Sequence, residues 1–202
     1  YEQGLKKLSV KMGESTETLS KGLYDILSAS IAPSQALEVL EVSAKAAKAG
    51  FTDTATSVDL ITSVLNAYGM EASRAADVSD IAFAVVASGK TTFEELAQSI
   101  GRVAPTAAAM DVSLEQTGAM LATITRQGIK TEEAVTSLNA MLSSFMKAQP
   151  KAVAAWEELA KGTELEGVAY GRTLAQGENF VKFLNVMRGA TDQQKTAVFG
   201  NI

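Results

Sequence analysis

Apolar residues along this chain recur three and four positions apart, and each run is closed by a glycine or a stand-in for one. Leu19, Leu23, Ile26 and Leu27 form one such stripe. Val58, Ile61, Leu65 and Tyr68 form another, and Val78, Ile81 and Val85 a third. Phe93, Leu96, Ile100 and Val103 follow, then Leu114, Leu121 and Ile124, then Val135, Leu138, Leu142 and Phe145. This spacing places the apolar side chains on one face of a helix. The expected fold is all-α: an array of about eight to ten short helices with no β-sheet.

The punctuation between runs repeats as well. Gly50-Phe51-Thr52-Asp53, Gly69-Met70-Glu71-Ala72-Ser73, Gly89-Lys90-Thr91-Thr92-Phe93-Glu94, Asp111-Val112-Ser113-Leu114-Glu115-Gln116 and Gly128-Ile129-Lys130-Thr131-Glu132-Glu133 each read as a helix stop followed at once by a helix start. Glycine accepts the left-handed position past a helix end, and the apolar residue after it closes over the last turn. A hydroxyl or carboxylate then accepts from the unpaired N–H groups of the next helix. Ser30 and Asp111 stand where glycines are expected. Thr91 with Glu94, and Ser113 with Gln116, are spaced as capping boxes. Pro33 is read as the first residue of a helix. Gly101 and Pro105 predict a kink or break near residues 102–104.

After Pro150 the texture changes. A short helix over 152–161 carries Trp156, glycines cluster at 162, 167, 171 and 177, and a last amphipathic helix runs through Phe180, Phe183, Leu184 and Met187, with a short one from Asp192 to Phe199-Gly200. The expected division is a helical core array over 1–148 and a C-terminal helical appendage with a glycine-rich link over 149–202. The absence of a charged-then-apolar leader at Tyr1 and the abrupt end at Ile202 read as a piece of a longer protein.

Composition narrows the chemistry. The 202 residues carry a formal charge of -5, with Lys and Arg scattered, which argues against a nucleic-acid grip. There is no cysteine and no histidine, removing thiolate chemistry and the commonest general base and metal ligand. No apolar run is long enough for a membrane span, although mean hydropathy is +0.09. With aromatics at only 6%, an alanine-rich core packs helices closely through small side chains.

Four groups carry residue types that could form a site. Ser88-Gly89-Lys90-Thr91 looks like the end of a phosphate loop, but Ala84 occupies the first glycine position and the run before it reads as helix. The pairs Glu94/Glu95, Glu132/Glu133 and Glu157/Glu158 are adjacent, so they point apart on a helix, and most suit the positive end of the dipole. Asp53, Asp59, Asp77 and Asp80 do not fit a calcium loop. Met110, Met120, Met141 and Met146 either fill core gaps or form a soft surface for a partner helix. No catalytic, cofactor or metal residue is assigned, and no cofactor is expected.

The corners and their flanks carry a resemblance. The run from Ala44 through Gly50-Phe51-Thr52-Asp53 to Ala55, then Leu65-Asn66-Ala67-Tyr68-Gly69-Met70, Ser79-Asp80 and Ser88 through Leu96, resembles the core region of tail tape-measure proteins of long-tailed bacteriophages and prophages. Ile100-Gly101-Arg102-Val103-Ala104-Pro105 through Ala108, Thr123 through Ala134 and the closing Phe199-Gly200 are similar again, in order, over nearly the whole chain. The resemblance implies a virion structural protein and no enzyme, acting in tail assembly and tail-length determination from the interior of the tail, after assembly in the host cytoplasm. It implies tail-tube, tail-tip and assembly-chaperone partners and leaves room for self-association, with no specific nucleic acid and no membrane contact for this segment. Readings from other classes are a tail-carried cell-wall hydrolase, a membrane-active segment for genome delivery and a bacterial helical signalling domain. Because the corners fold the chain back on itself, this stretch is expected to be a folded module and not the measuring rod.

Overall fold

A computed structural model describes residues 1–199, and among these every regular element is helical. In chain order they are α1 (Glu2–Met12), α2 (Thr16–Ser28), α3 (Ala36–Ala49), α4 (Thr54–Tyr68), a 3-10 turn (Ala72–Arg74), α5 (Ala75–Ser88), α6 (Phe93–Ile100), α7 (Ala104–Ala109), α8 (Leu114–Arg126), α9 (Thr131–Lys147), α10 (Pro150–Ala160), α11 (Arg172–Ala175), α12 (Gly177–Gly189) and α13 (Asp192–Phe199). These thirteen α-helices among the described residues are more than the eight to ten expected, and two of them are short: α7, where the chain re-initiates after Gly101, and the single turn α11. Pro105 sits in the first turn of α7, where its missing N–H leaves no gap in the ladder.

The expected stripes form the core. Leu19, Ile26, Val58, Ile61, Leu65, Phe93, Leu96, Val135, Leu142 and Phe145 are buried. α4 lies at the centre, packed by α2, α3, α5, α6 and α7, while α5 lies along α8 and α10 along α13. One cluster of buried apolar side chains runs from Leu8 to Val198.

At the corners two different uses of glycine appear. Gly13, Gly69 and Gly128 have φ of 62°, 60° and 91°, the left-handed stop that the punctuation predicts. Ser30 (φ 66°) and Asp111 (φ 53°) take the same geometry in place of glycine. At Asp111 the Val112 N–H reaches back to the Ala107 carbonyl at 3.0 Å, closing the turn. Gly50 and Gly89 correct the expectation, with φ of -87° and -102°. Their role is close approach. A Cβ on Gly50 would lie 2.8 Å from Cβ of Phe93, and one on Gly89 would lie 2.7 Å from Oγ1 of Thr125.

With Gly50 pressed against Phe93, the left-handed residue of that corner becomes Phe51, at φ 53°. The Thr52 N–H bonds the Ala47 carbonyl at 2.9 Å, so the stop is intact but displaced by one residue. Phe51 does not close over the helix end; it is 96% exposed. A β-carbon costs roughly 1–2 kcal/mol in this conformation. Phe51→Gly is therefore expected to stabilise the fold by about 0.5 kcal/mol after the entropy of the added glycine is counted, raising Tm by about 1–2 °C. Thermal unfolding followed by circular dichroism checks it, and a lower Tm would contradict the strain assignment.

Helix starts follow the expected chemistry with two changes of register. Ser15 accepts from the Thr18 N–H at 3.0 Å and Asp53 from the Thr56 N–H at 2.7 Å. The Ser113–Gln116 capping box forms as spaced. The other box is Thr92–Glu95, one residue later than Thr91–Glu94, because Thr91 turns aside to bond Thr131. Pro33 does not open α3. It lies in the turn from Ala32 to Gln35, closed by the Gln35 N–H on the Ala32 carbonyl at 2.9 Å, a position to which its fixed φ is suited.

Glu95 joins two helix starts. Its Oε2 accepts from the Thr92 N–H at 3.1 Å and from the Thr131 hydroxyl at 3.2 Å, so one carboxylate serves the first turns of α6 and α9. Glu95→Ala is expected to cost about 1–2 kcal/mol, and Thr131→Val about 1 kcal/mol. Because both act on one carboxylate, the double variant in urea denaturation should fall short of the sum by at least about 0.5 kcal/mol. Full additivity would mean that the two helix starts are independent.

Beyond α9 the chain is held by polar ties as well as by apolar packing. The Trp156 indole N–H donates to the Val168 carbonyl at 2.8 Å, and the Tyr170 hydroxyl lies 2.8 Å from the Ser144 hydroxyl and donates to the Val198 carbonyl at 2.9 Å. Arg172 bonds the Asp111 carboxylate and donates to the Ala109 carbonyl at 2.7 Å. The residue that replaces a glycine at the α7–α8 corner thus also anchors α11. Gly200 of the expected Phe199-Gly200 ending lies outside the described residues.

Candidate interaction groove

The candidate phosphate loop at Ser88-Gly89-Lys90-Thr91 is the joint between α5 and α6. The Lys90 N–H donates to Oγ1 of Thr125 at 3.2 Å, so the backbone that would cradle a phosphate faces α8. One member of each acid pair makes a structural contact. Glu95 serves the two helix starts, Glu132 accepts from Arg102 at 3.0 Å, and Glu158 pairs with Lys161. Asp53 caps α4 and Asp77 pairs with Arg74. No group of three or more His, Cys, Asp or Glu side chains with metal-binding geometry occurs among the described residues.

Hydrogen bonds from Lys21 and from Lys11 and Lys45 hold the carboxyls of Glu17 and Glu41 below the usual range, and the backbone N–H of Glu115 does the same for its own carboxyl. Burial pushes the phenols of Tyr68 and Tyr170 up, and the Glu158 bond raises Lys161. Each of these shifts carries its group away from neutral pH, the opposite of what a general acid or base needs.

What the fold does assemble is an apolar groove of 690 Å³ between α8, α9 and α12. Met120 and Ile124 supply one wall, Leu138 and Met141 the floor, and Phe180, Val181 and Leu184 the other wall, with Gln116, Glu178, Asn185 and Arg188 at its edges. Two of the four singled-out methionines meet here. The other two do not: Met110 is 2% exposed inside the fold, and Met146 is 50% exposed on another face. The soft, unbranched Met120 and Met141 side chains suit an adaptable contact.

α12 is shared between two surfaces. Phe183 and Met187 turn into the core, Val181 (59% exposed) and Leu184 (37% exposed) stay on the groove side, and the buried Phe180 lies between the two. The sequence stripe through Phe180, Phe183, Leu184 and Met187 mixed these two faces. The missed signal was Val181, an apolar residue outside the core stripe of an otherwise amphipathic helix. No helix is long and apolar enough to cross a membrane among the described residues.

A family model described as phage-related minor tail protein matches residues 3–202. The probable tape measure protein of Clostridium phage phiCD119 is 34% identical over 203 residues, covering 97% of this chain and 22% of its own length. The tape measure protein of Pneumococcus phage Dp-1 is 26% identical over 192 residues, covering 93% of this chain and 16% of its own. The chain therefore spans about a fifth of the length of these curated relatives. No solved structure matches it.

Proposed function

The chain belongs to the phage-related minor tail protein family, and from that premise we propose that it is the folded module of a tape-measure protein, acting in tail assembly and tail-length determination through helix-mediated contacts. Its place is the phage tail. The observation that carries the reading is the folding back of the chain at its corners. As one continuous helix, 202 residues would span about 300 Å. The longest helix here, α9 with 17 residues, covers only about 26 Å. A tape that sets length by its extended span gains little from such a stretch, so the module serves assembly or packing while other parts of the protein measure.

The proposed partners are tail-tube, tail-tip and assembly-chaperone proteins, met during assembly in the host cytoplasm. The module is non-catalytic, a reading supported by the structural use of its carboxylates and by relatives named as tape measure proteins. The array over 1–148 forms the body and 149–202 an appendage that carries one wall of the groove.

In-frame removal of this region from the full-length gene, with tails measured by electron microscopy, tests the proposal. Loss of tails, or tails of unchanged length with faulty ends, is the expected result. Tails shortened strictly in proportion to the deleted residues would make the segment a ruler and overturn it.

A further inference from the structure

We propose that the α12 edge of the groove is a self-complementary surface that receives a second copy of this chain, with the two α12 helices antiparallel about a two-fold axis. The proposal rests on the α8–α9–α12 geometry and does not depend on the tail reading. Besides Gly177 and the buried Phe180, the α12 residues that line the groove are Glu178, Val181, Leu184, Asn185 and Arg188. Glu178, Val181, Leu184 and Arg188 are spaced three or four apart, with Asn185 beside Leu184, so they form one stripe with an acid at its start, apolar residues in the middle and a base at its end.

Such a stripe fits its own reverse. With Val181 of one copy beside Leu184 of the other, Glu178 of each falls within one residue of Arg188 on the other, a register that long side chains span. Two opposite-charge pairs then flank an apolar centre, as an isologous contact requires. Neither charge is otherwise well engaged. Glu178 meets only Lys182, at 3.9 Å, and Arg188 makes no ion pair among the described residues. The exposed Val181 and Leu184 of the incoming helix are the knobs, and the groove lined by Met120, Ile124 and Met141 is the space that they enter. Two mobile thioethers in its walls let the groove adjust to a branched side chain.

The test is sedimentation of the whole 202-residue chain from about 1 μM to 1 mM, the range in which a small specific interface shows itself. The expected result is a concentration-dependent rise from 21.2 kDa toward twice that mass. Glu178→Arg alone and Arg188→Glu alone should each weaken association about tenfold or more, because like charges then face each other across the axis. An equimolar mixture of the two variants should dimerise again, since both pairs become attractive in the mixed dimer. Circular dichroism confirms that each variant keeps its helicity. If a reversal disturbs the fold, Glu178→Gln and Arg188→Gln take its place, each with an expected weakening of about threefold.

A chain that stays monomeric to about 1 mM would leave the groove to a different chain and overturn the proposal. Dimers indifferent to the single reversals, or single variants not rescued by mixing, would place any self-association elsewhere and overturn it equally.

Discussion

Gly89→Ala is expected to destabilise the fold by about 2–3 kcal/mol, even though the backbone there suits any residue. The angles at Gly89 are φ -102° and ψ -171°, an extended conformation without left-handed strain. The obstacle is space. A Cβ would stand 2.7 Å from Oγ1 of Thr125, 2.9 Å from the Val85 carbonyl oxygen and 3.1 Å from the Ala122 Cα. The Val85 oxygen belongs to the last turn of α5 itself and the Ala122 Cα to the backbone of α8, so relief requires α5 both to distort at its end and to separate from α8. Separation would also stretch the 3.2 Å bond from the Lys90 N–H to Thr125, which satisfies the backbone just past α5. The reduced freedom of the unfolded chain returns about 0.4–1 kcal/mol, not enough to reverse the sign.

Gly128→Ala is the matched control. Gly128 has φ 91° and nothing near the position of a Cβ, so only the conformational cost of about 1–2 kcal/mol applies. Urea denaturation of both variants should rank Gly89→Ala as the worse. The opposite ranking would mean that close helix approach does not explain the glycine between α5 and α6.

Phe183→Ala should cost more still, about 3–5 kcal/mol. Phe183 is fully buried, with ring centroids 5.1 Å from Phe145, 5.3 Å from Trp156 and 5.9 Å from Phe199. The Phe145 and Phe199 rings meet it edge-on, at 80° and 86°, the arrangement that aligns ring edges with ring faces. One side chain therefore joins α9, α10, α12 and α13. Because Trp156 is the only tryptophan, its fluorescence reports on this cluster alone. The expected signature is a red-shifted emission from Trp156 together with a lower urea midpoint. A second, earlier transition seen in fluorescence but not in helicity would show the segment beyond α9 loosening ahead of the rest. Unchanged emission and an unchanged midpoint would remove Phe183 from the centre of that packing.

Much of this architecture was legible along the chain, because helix periodicity and capping are local properties. The stripe of Val135, Leu138, Leu142 and Phe145 is buried as spaced, and Ser113–Gln116 caps as spaced. Registers slipped where a distant element intervened. Thr91 leaves its expected box for Thr131, forty positions on, and Phe93 pushes the left-handed turn from Gly50 to Phe51. The groove was half legible. Met120 and Met141 stood out as soft residues, but nothing in their spacing brought α12 alongside them.

By itself the sequence determined a helical fold, the places where the chain turns and, through the order of its corners, its resemblance to tape-measure proteins. All three rest on contacts within a few residues, which periodicity and turn chemistry encode directly. Only the tertiary structure decided which glycines permit a turn and which permit two helices to touch. It also decided which face of α12 enters the core and which lines a groove. Those outcomes depend on side chains far apart in sequence competing for one volume, and no local pattern records the result of that competition.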